Sequence, residues 1–219
     1  MSVLSLEGIS FSYGKTPVLK DLSYQFEKGK MYCIVGRSGA GKTTLLSLLS
    51  GLASPQNGKI LYEGKDIAEI DKYTFRSKYI GVVFQSFNLL TKLTALENVV
   101  LSMEVAGYHC PDRKKRAMTL LENVGLDEDE ARRRVLLLSG GQQQRVAIAR
   151  ALAYDPDIIL ADEPTGNLDG ETEEEIMTIL RTLADAGKCV ILVSHSPDVA
   201  RLCDERYELT RLSGKGKKK

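Results

Sequence analysis

An α/β fold with a parallel-sheet core is what this sequence predicts, and three features predict it. Short apolar runs with several β-branched residues recur at positions 31–35, 79–84, 158–161 and 189–193, separated by stretches of helical spacing. Runs that short and apolar throughout suit strands buried on both faces of a parallel sheet. The first thirty residues alternate instead: Val3, Leu4, Leu6, Ile9, Phe11 and Tyr13, then Leu19, Leu22, Tyr24 and Phe26, with turn signals at Gly14 and Lys28-Gly29. That pattern predicts antiparallel strands, hence a small N-terminal β-subdomain ahead of the core. Between Ser86 and Leu138 the spacing becomes helical, with Ala117, Leu120, Leu121 and Val124 at i, i+3, i+4 and i+7 and Gly125 as the stop, which predicts an inserted helical subdomain.

The run at 31–35 leads into Gly36-Arg37-Ser38-Gly39-Ala40-Gly41-Lys42-Thr43, and a helical pattern begins near Lys42. This is a complete G-x-x-x-x-G-K-T loop between a strand and a helix, which is the context the motif requires and makes the core that of a P-loop NTPase. A triphosphate needs many backbone N–H donors around it, and Gly36, Gly39 and Gly41 let the chain close without Cβ clashes. The following helix points its N-terminus at the phosphates, Lys42 supplies a point charge near the β and γ groups, and the Thr43 hydroxyl ligates Mg2+. Arg37, Ser38, Ala40 and Thr44 complete the expected ATP cradle. An ordinary Gly-rich turn needs neither the lysine nor the hydroxyl.

The run at 157–161 ends in Asp162-Glu163. An aspartate there can hold Mg2+ through water, and the glutamate can polarise the attacking water as general base. Helix capping is the alternative for these acids, but Pro164 and Thr165-Gly166 delay the next helix until about Gly170.

Bulk properties set limits. At 219 residues and 43% hydrophobic the chain can bury the core of one compact unit, and 30 basic against 29 acidic residues give net +1. That balance offers no global electrostatic case for nucleic acid. The basic character gathers in the tail 213–219, with Lys215, Lys217, Lys218 and Lys219; it is expected to be disordered, either brushing anionic lipid or serving only as a solubilising end or expression remnant. No apolar run approaches the roughly 18 residues of a membrane span and no signal peptide is apparent, so a soluble cytoplasmic chain is expected. The four cysteines lack metal-like spacing. Cys33 and Cys189 read as small buried hydrophobes, and no disulfide is expected.

Leu138-Ser139-Gly140-Gly141-Gln142, followed by Gln143-Gln144-Arg145-Val146-Ala147-Ile148-Ala149-Arg150-Ala151-Leu152, narrows the reading. Locally, Ser139 and Gln142 form an S-x-x-Q capping box, and the helix they start offers its dipole to an anion. A mere cap leaves the two glycines unexplained. The string resembles the signature motif of ATP-binding-cassette (ABC) ATPases, and the resemblance extends from residue 4 to about 210. It implies that Ser139, Gly140 and Gly141 face the γ-phosphate held by a second subunit, with Gln142 counted among the nucleotide-binding residues, so that ATP is sandwiched in a head-to-tail dimer, expected to be a homodimer with a heterodimer left open. It further implies adenine stacking by Tyr13, Mg2+ sensing by Gln85, a cross-dimer contact at Asp169 of Asn167-Leu168-Asp169, and a γ-phosphate contact by His195. Asp169 can equally cap the acidic helix that follows it, and a lone strand tyrosine or strand-end histidine has ordinary packing roles. His109 reads as surface loop. On this resemblance 1–219 is a single ABC ATPase domain, with 1–85 and 151–212 as nucleotide-binding core plus β-subdomain, 86–150 as helical subdomain and 213–219 as flexible tail.

The stretches 83–90, 93–99 and 161–169 look like the lipoprotein-release, macrolide-export and antimicrobial-peptide-resistance branch. The branch implies a separate permease moved by mechanotransmission, and peripheral attachment to the cytoplasmic face of the membrane through it. Phe87, Leu89 and Leu90, after Gln85, are the candidates for receiving the permease's cytoplasmic helix; packing within the helical lobe is their alternative. A cell-division or signalling ATPase of the same fold remains open. A soluble cassette acting on DNA or ribosomes lacks support, since neither a second cassette nor a basic groove is present, and a P-loop kinase leaves residues 139–142 unexplained. Val135-Leu136-Leu137 departs from relatives, which often carry a proline and polar residues there, and puts the local turn in question.

Overall fold

The structure, a computed structural model, describes residues 2–212. The segment 213–219, expected to be a flexible tail, lies outside the described residues. In chain order the strands are β1 Ser2–Tyr13, β2 Thr16–Glu27, β3 Met31–Gly36, β4 Asn57–Tyr62, β5 Lys65–Asp66, β6 Ile80–Val83, β7 Ile158–Asp162, β8 Cys189–Ser194 and β9 Glu205–Leu209. The helices are α1 Lys42–Leu49, α2 Lys72–Thr74, α3 Ala95–Val105, α4 Arg113–Asn123, α5 Glu128–Ala131, α6 Gly140–Ala151, α7 Gly170–Asp185 and α8 Pro197–Arg201.

The central sheet is parallel and has the order β6-β7-β8-β3-β9. Its apolar runs are explained by burial on two sides. Along β7, Ile159 and Ala161 face one core with α3, α4, α6 and α7, while Ile158 and Leu160 face a second core with α1 and the other sheet. Along β8, Val190 and Leu192 divide from Cys189, Ile191 and Val193 in the same way. Period-2 alternation therefore separates two apolar environments, and the sequence shows no polar face. Cys33 and Cys189 are buried free thiols, as expected.

The second sheet is antiparallel, in the order β2-β1-β4-β5. Its first two strands pair antiparallel as predicted, with bulges between Leu6 and Ile9 and between Ile9 and Phe11 that break strict alternation, but β4 and β5 come after the phosphate loop, so the β-subdomain is not wholly N-terminal. Residues 57–62 carry Asn57, Gly58 and Lys59 before their apolar positions, which hid the strand. Gly58 shows why that composition is needed: at φ +84° its missing Cβ would fall 2.3 Å from the Glu7 carbonyl on β1. The edge strand β9 was also unread, because Glu205, Arg206 and Glu208 leave little apolar signal.

In the helical region Ala117, Leu121 and Val124 are buried, Leu120 is partly so, and Gly125 stops α4 at φ +81°. Residues Val135–Leu137, where the sequence departs from the family pattern, form a single 3-10 turn. Val135 is buried and its N–H donates to the Leu93 carbonyl at 3.2 Å, while Leu136 and Leu137 are exposed. Among the described residues no helix is long and apolar enough to cross a membrane.

Candidate active site

Parallel strands deliver their following loops to one edge of the sheet, and the predicted residues gather there. The phosphate loop leaves β3, Asp162 and Glu163 end β7, His195 follows β8 and Gln85 follows β6. A cavity of about 660 Å³ lies between them, lined by Ser38, Gly39, Gly41, Lys42, Thr43, Thr44, Gln85, Asp162, Glu163 and His195, together with Val18. The Lys42 ammonium donates to the Gly36 carbonyl at 2.8 Å, within the loop it serves. Gly41 sits at φ +96° as N-cap of α1, and a Cβ there would lie 2.8 Å from Val18 Cγ1. Val18 is thus a lining residue that sequence reading missed, since nothing in a strand's alternation connects position 18 to position 41.

Three loop residues do not line the cavity. Ala40 is buried, Arg37 lies outside the lining, and Gly36 is required by packing, because a Cβ would fall 2.7 Å from the Leu209 carbonyl on β9. Tyr13 stands apart, 62% exposed and edge-on to Phe11 with ring centroids 5.1 Å apart.

Glu163 has φ +45°, a left-handed conformation that costs a side-chain-bearing residue energy. Its N–H donates to the Val193 carbonyl at 2.9 Å, and its carbonyl accepts from Gly166 N–H at 3.1 Å. Its carboxylate is 2.9 Å from His195 Nδ1 through one oxygen and accepts from the His195 backbone N–H at 3.3 Å through the other. Asp162, one residue earlier, has its pKa raised, by burial first and by the charge of Glu163 second, with Lys42 acting the other way. A desolvated carboxylate beside a second acid calls for a cation. Among the described residues no cluster of three or more His, Cys, Asp or Glu could hold a metal. A single carboxylate with a hydroxyl and an amide suits Mg2+ completed by substrate phosphates and water, not an all-protein cage. Gln85 packs over Gly166, whose absent Cβ would lie 3.2 Å from Gln85 Nε2, and Asn167 Nδ2 donates to the Gln85 carbonyl at 3.4 Å.

The signature residues begin α6 and do not line this cavity. The capping box is present: Gln142 N–H donates to Ser139 Oγ at 3.2 Å, and Ser139 N–H donates to Gln142 Oε1 at 2.8 Å. The glycines differ from one another. A Cβ on Gly140 would have room, its nearest neighbour being Leu168 Cδ2 at 3.7 Å, whereas one on Gly141 would lie 2.5 Å from Thr172 Cγ2. Close packing of α6 on α7 therefore explains Gly141 within one chain. Asp169 caps α7, accepting from Thr172 N–H at 2.9 Å.

After Gln85 the chain runs through Phe87 and Asn88, both left-handed, with Arg150 donating to both of their carbonyls. Phe87 and Leu89 pack against the helical core, the alternative weighed for them, and Leu90 is exposed. Leu90 lines a groove of about 420 Å³ with Tyr73, Val105, Arg76 and Arg150. A neighbouring hollow of about 290 Å³ shares Arg76, Asn88, Ser102, Arg150 and Tyr154 and adds exposed Leu52. No carboxylate is among the residues lining either.

Comparison with known proteins follows the same motifs. Residues 19–166 match the family described as ABC transporter. The chain is 46% identical to the ABC transporter ATP-binding protein YclH of Bacillus subtilis over 96% of this chain and 95% of that one. Among solved structures it superposes on a dimeric bacterial ABC transporter cassette, MJ0796, with TM-score 0.84 and 38% identity over 94% of each chain. A dimeric post-hydrolysis state of the same cassette, bound to ADP and Pi, gives TM-score 0.85 and 37% identity over 95% of this chain and 96% of that one.

Proposed function

The chain belongs to the ABC transporter family as an ATP-binding ATPase subunit, and from that premise we propose that it works as a head-to-tail homodimer which hydrolyses ATP to drive a separate membrane permease. One observation carries the reading. The phosphate cavity and the signature are separate in a single chain, which supports a site completed by a second copy.

In this reading residues 36–44 cradle the phosphates, Tyr13 stacks on adenine, and Lys42 reaches the β- and γ-phosphates. Thr43, Asp162 and Gln85 would hold Mg2+, which when bound offsets phosphate charge. Glu163 accepts the proton of the attacking water as its oxygen bonds to the γ-phosphorus, and the bond to the β-phosphate oxygen breaks. His195, whose Nδ1 lies 2.9 Å from Glu163, would offer its other ring nitrogen to the γ-phosphate. The partner's Ser139, Gly140, Gly141 and Gln142 would close the site from the opposite side, with Asp169 contacting across the dimer. The groove after Gln85 offers apolar side chains and two arginines to the permease's cytoplasmic helix, which supports peripheral placement on the cytoplasmic face and a mechanotransmission scheme of the lipoprotein-release type. The chain divides as 1–85 with 151–212 and 86–150.

Sedimentation with ATP and Mg2+ tests the proposal. Glu163→Gln is expected to form an ATP-dependent dimer that a further Ser139→Arg change abolishes. Hydrolysis by Glu163→Gln should fall by about 10²–10⁴-fold, the usual worth of a general base. A chain that binds ATP and remains monomeric at every concentration, with Ser139→Arg without effect, would overturn the sandwich.

A further inference from the structure

Gln144 lies two residues beyond the signature on α6 and is fully buried, with 0% exposure. Its Nε2 donates to the Pro164 carbonyl at 2.8 Å, while its Oε1 has no hydrogen-bond partner among the described residues. A side chain serving only to fill this core would be apolar, and one serving only to satisfy Pro164 would not leave a buried acceptor unpaired. The position of the one bond made is informative. Pro164 directly follows Glu163, whose left-handed backbone is otherwise tied to the Val193 carbonyl and to Gly166 N–H. The tie at Pro164 comes from the helix that begins at Ser139. The same helix is pressed at Gly141 against Thr172 in the first turn of α7, so both the start of the 163–169 loop and the helix that follows it bear on α6.

We infer that Gln144 is a positioning residue for hydrolysis, which carries the position of the signature helix to the backbone beside Glu163 within the same chain. The inference rests on the roles proposed above for Ser139 and Glu163. Ser139 and Gln144 are about 7.5 Å apart along one rigid helix. When the partner's nucleotide draws Ser139 toward it, Gln144 moves with it and pulls on the Pro164 carbonyl. Each chain's catalytic acid thereby responds to nucleotide held by the other chain. A buried amide suits this task because it is stiffly packed and its hydrogen bond has direction.

Gln144→Met keeps length and burial and removes the donor. It is tested by thermal melting, by sedimentation in the Glu163→Gln background, and by steady-state hydrolysis in the otherwise native chain. The expected result is a folded protein that still dimerises with ATP, with KM within about threefold of native and kcat down by about tenfold or more. Gln144→Glu should recover rate as pH is lowered, since burial favours the protonated carboxyl, which again donates to Pro164. Native kcat in folded Gln144→Met, or a kcat loss no larger than the loss of folded protein, overturns the inference. If Gln144→Met does not fold, the side-chain amide resonances of Gln144 in the native chain decide. They are expected to shift between the nucleotide-free chain and the ATP-bound dimer, and unchanged resonances overturn the inference. Failure of Glu163→Gln to dimerise would instead strike the proposed sandwich, so the two failures are distinguishable.

Discussion

Glu163 is held where its backbone would prefer glycine, and the stored strain is measurable by replacing it with glycine and with alanine. At φ +45° the Cβ of any L-residue crowds the following carbonyl, at a cost of about 1–2 kcal/mol. Both substitutions remove the contacts to His195, so these cancel in the comparison. Glycine alone relieves the strain and surrenders about 0.5–1 kcal/mol of that gain to its larger unfolded-state entropy. Glu163→Gly should therefore exceed Glu163→Ala in stability by about 0.75 kcal/mol, the difference of the two mid-range figures, or a Tm difference of about 1.5–3 °C for a domain of this size. Calorimetry without nucleotide is the assay, read beside hydrolysis, which both variants should lose. Equal melting temperatures, or a more stable alanine variant, would refute the argument that this residue's conformation is strained. The expected result would locate the strain at the reacting end of the site, where it is retained because the carboxylate is needed there.

Gly41→Ala meets Val18 and Leu19 within 3 Å in a left-handed backbone, so a loss of about 2–4 kcal/mol is expected in urea unfolding, together with loss of ATP binding by calorimetric titration. Asp162 is protonated more readily folded than unfolded, so its ionisation opposes folding at neutral pH. Asp162→Asn should consequently be the more stable protein at pH 7 without nucleotide, with the difference closing as pH falls through the raised native pKa toward the ordinary 3.8; a difference that grows on acidification would contradict the burial argument. Gly58→Ala should cost about 2–4 kcal/mol in urea unfolding through its clash with the Glu7 carbonyl, while leaving ATP affinity per folded molecule unchanged.

What the sequence made legible shares a physical character. The phosphate loop and Asp162-Glu163 are contiguous, and each sits beside an apolar strand, so residue type, spacing and context stand together in one stretch of chain. The capping box at Ser139 and Gln142 is equally local. What stayed hidden depends on pairs distant in sequence. Val18 enters the cavity because β2 passes Gly41, Gly36 is small because of β9, and β4 is a strand because Gly58 can approach Glu7. None of these has a signature within ten residues of itself. Phe87 and Leu89 illustrate the same limit from the other side: apolar residues after Gln85 announce burial, but only the fold decides that they pack inward while Leu90 opens on the groove.

The same division separates Gly140 from Gly141. Read locally, both leave space for a ligand. In the fold Gly141 is already accounted for by Thr172, so its replacement would displace α6 from α7 before any nucleotide is involved. Gly140 has no such intrachain demand, since a Cβ there would meet Leu168 and Phe87 only at ordinary contact distances of 3.7 and 4.0 Å, which leaves the position able to face a partner. Gly140→Ala should accordingly leave the melting temperature within about 2 °C of native while weakening ATP-dependent dimerisation, and Gly141→Ala should lower both. If Gly140→Ala dimerises like the native chain, the contact assigned to the partner's phosphate must be carried by Ser139 and the helix N-terminus without it.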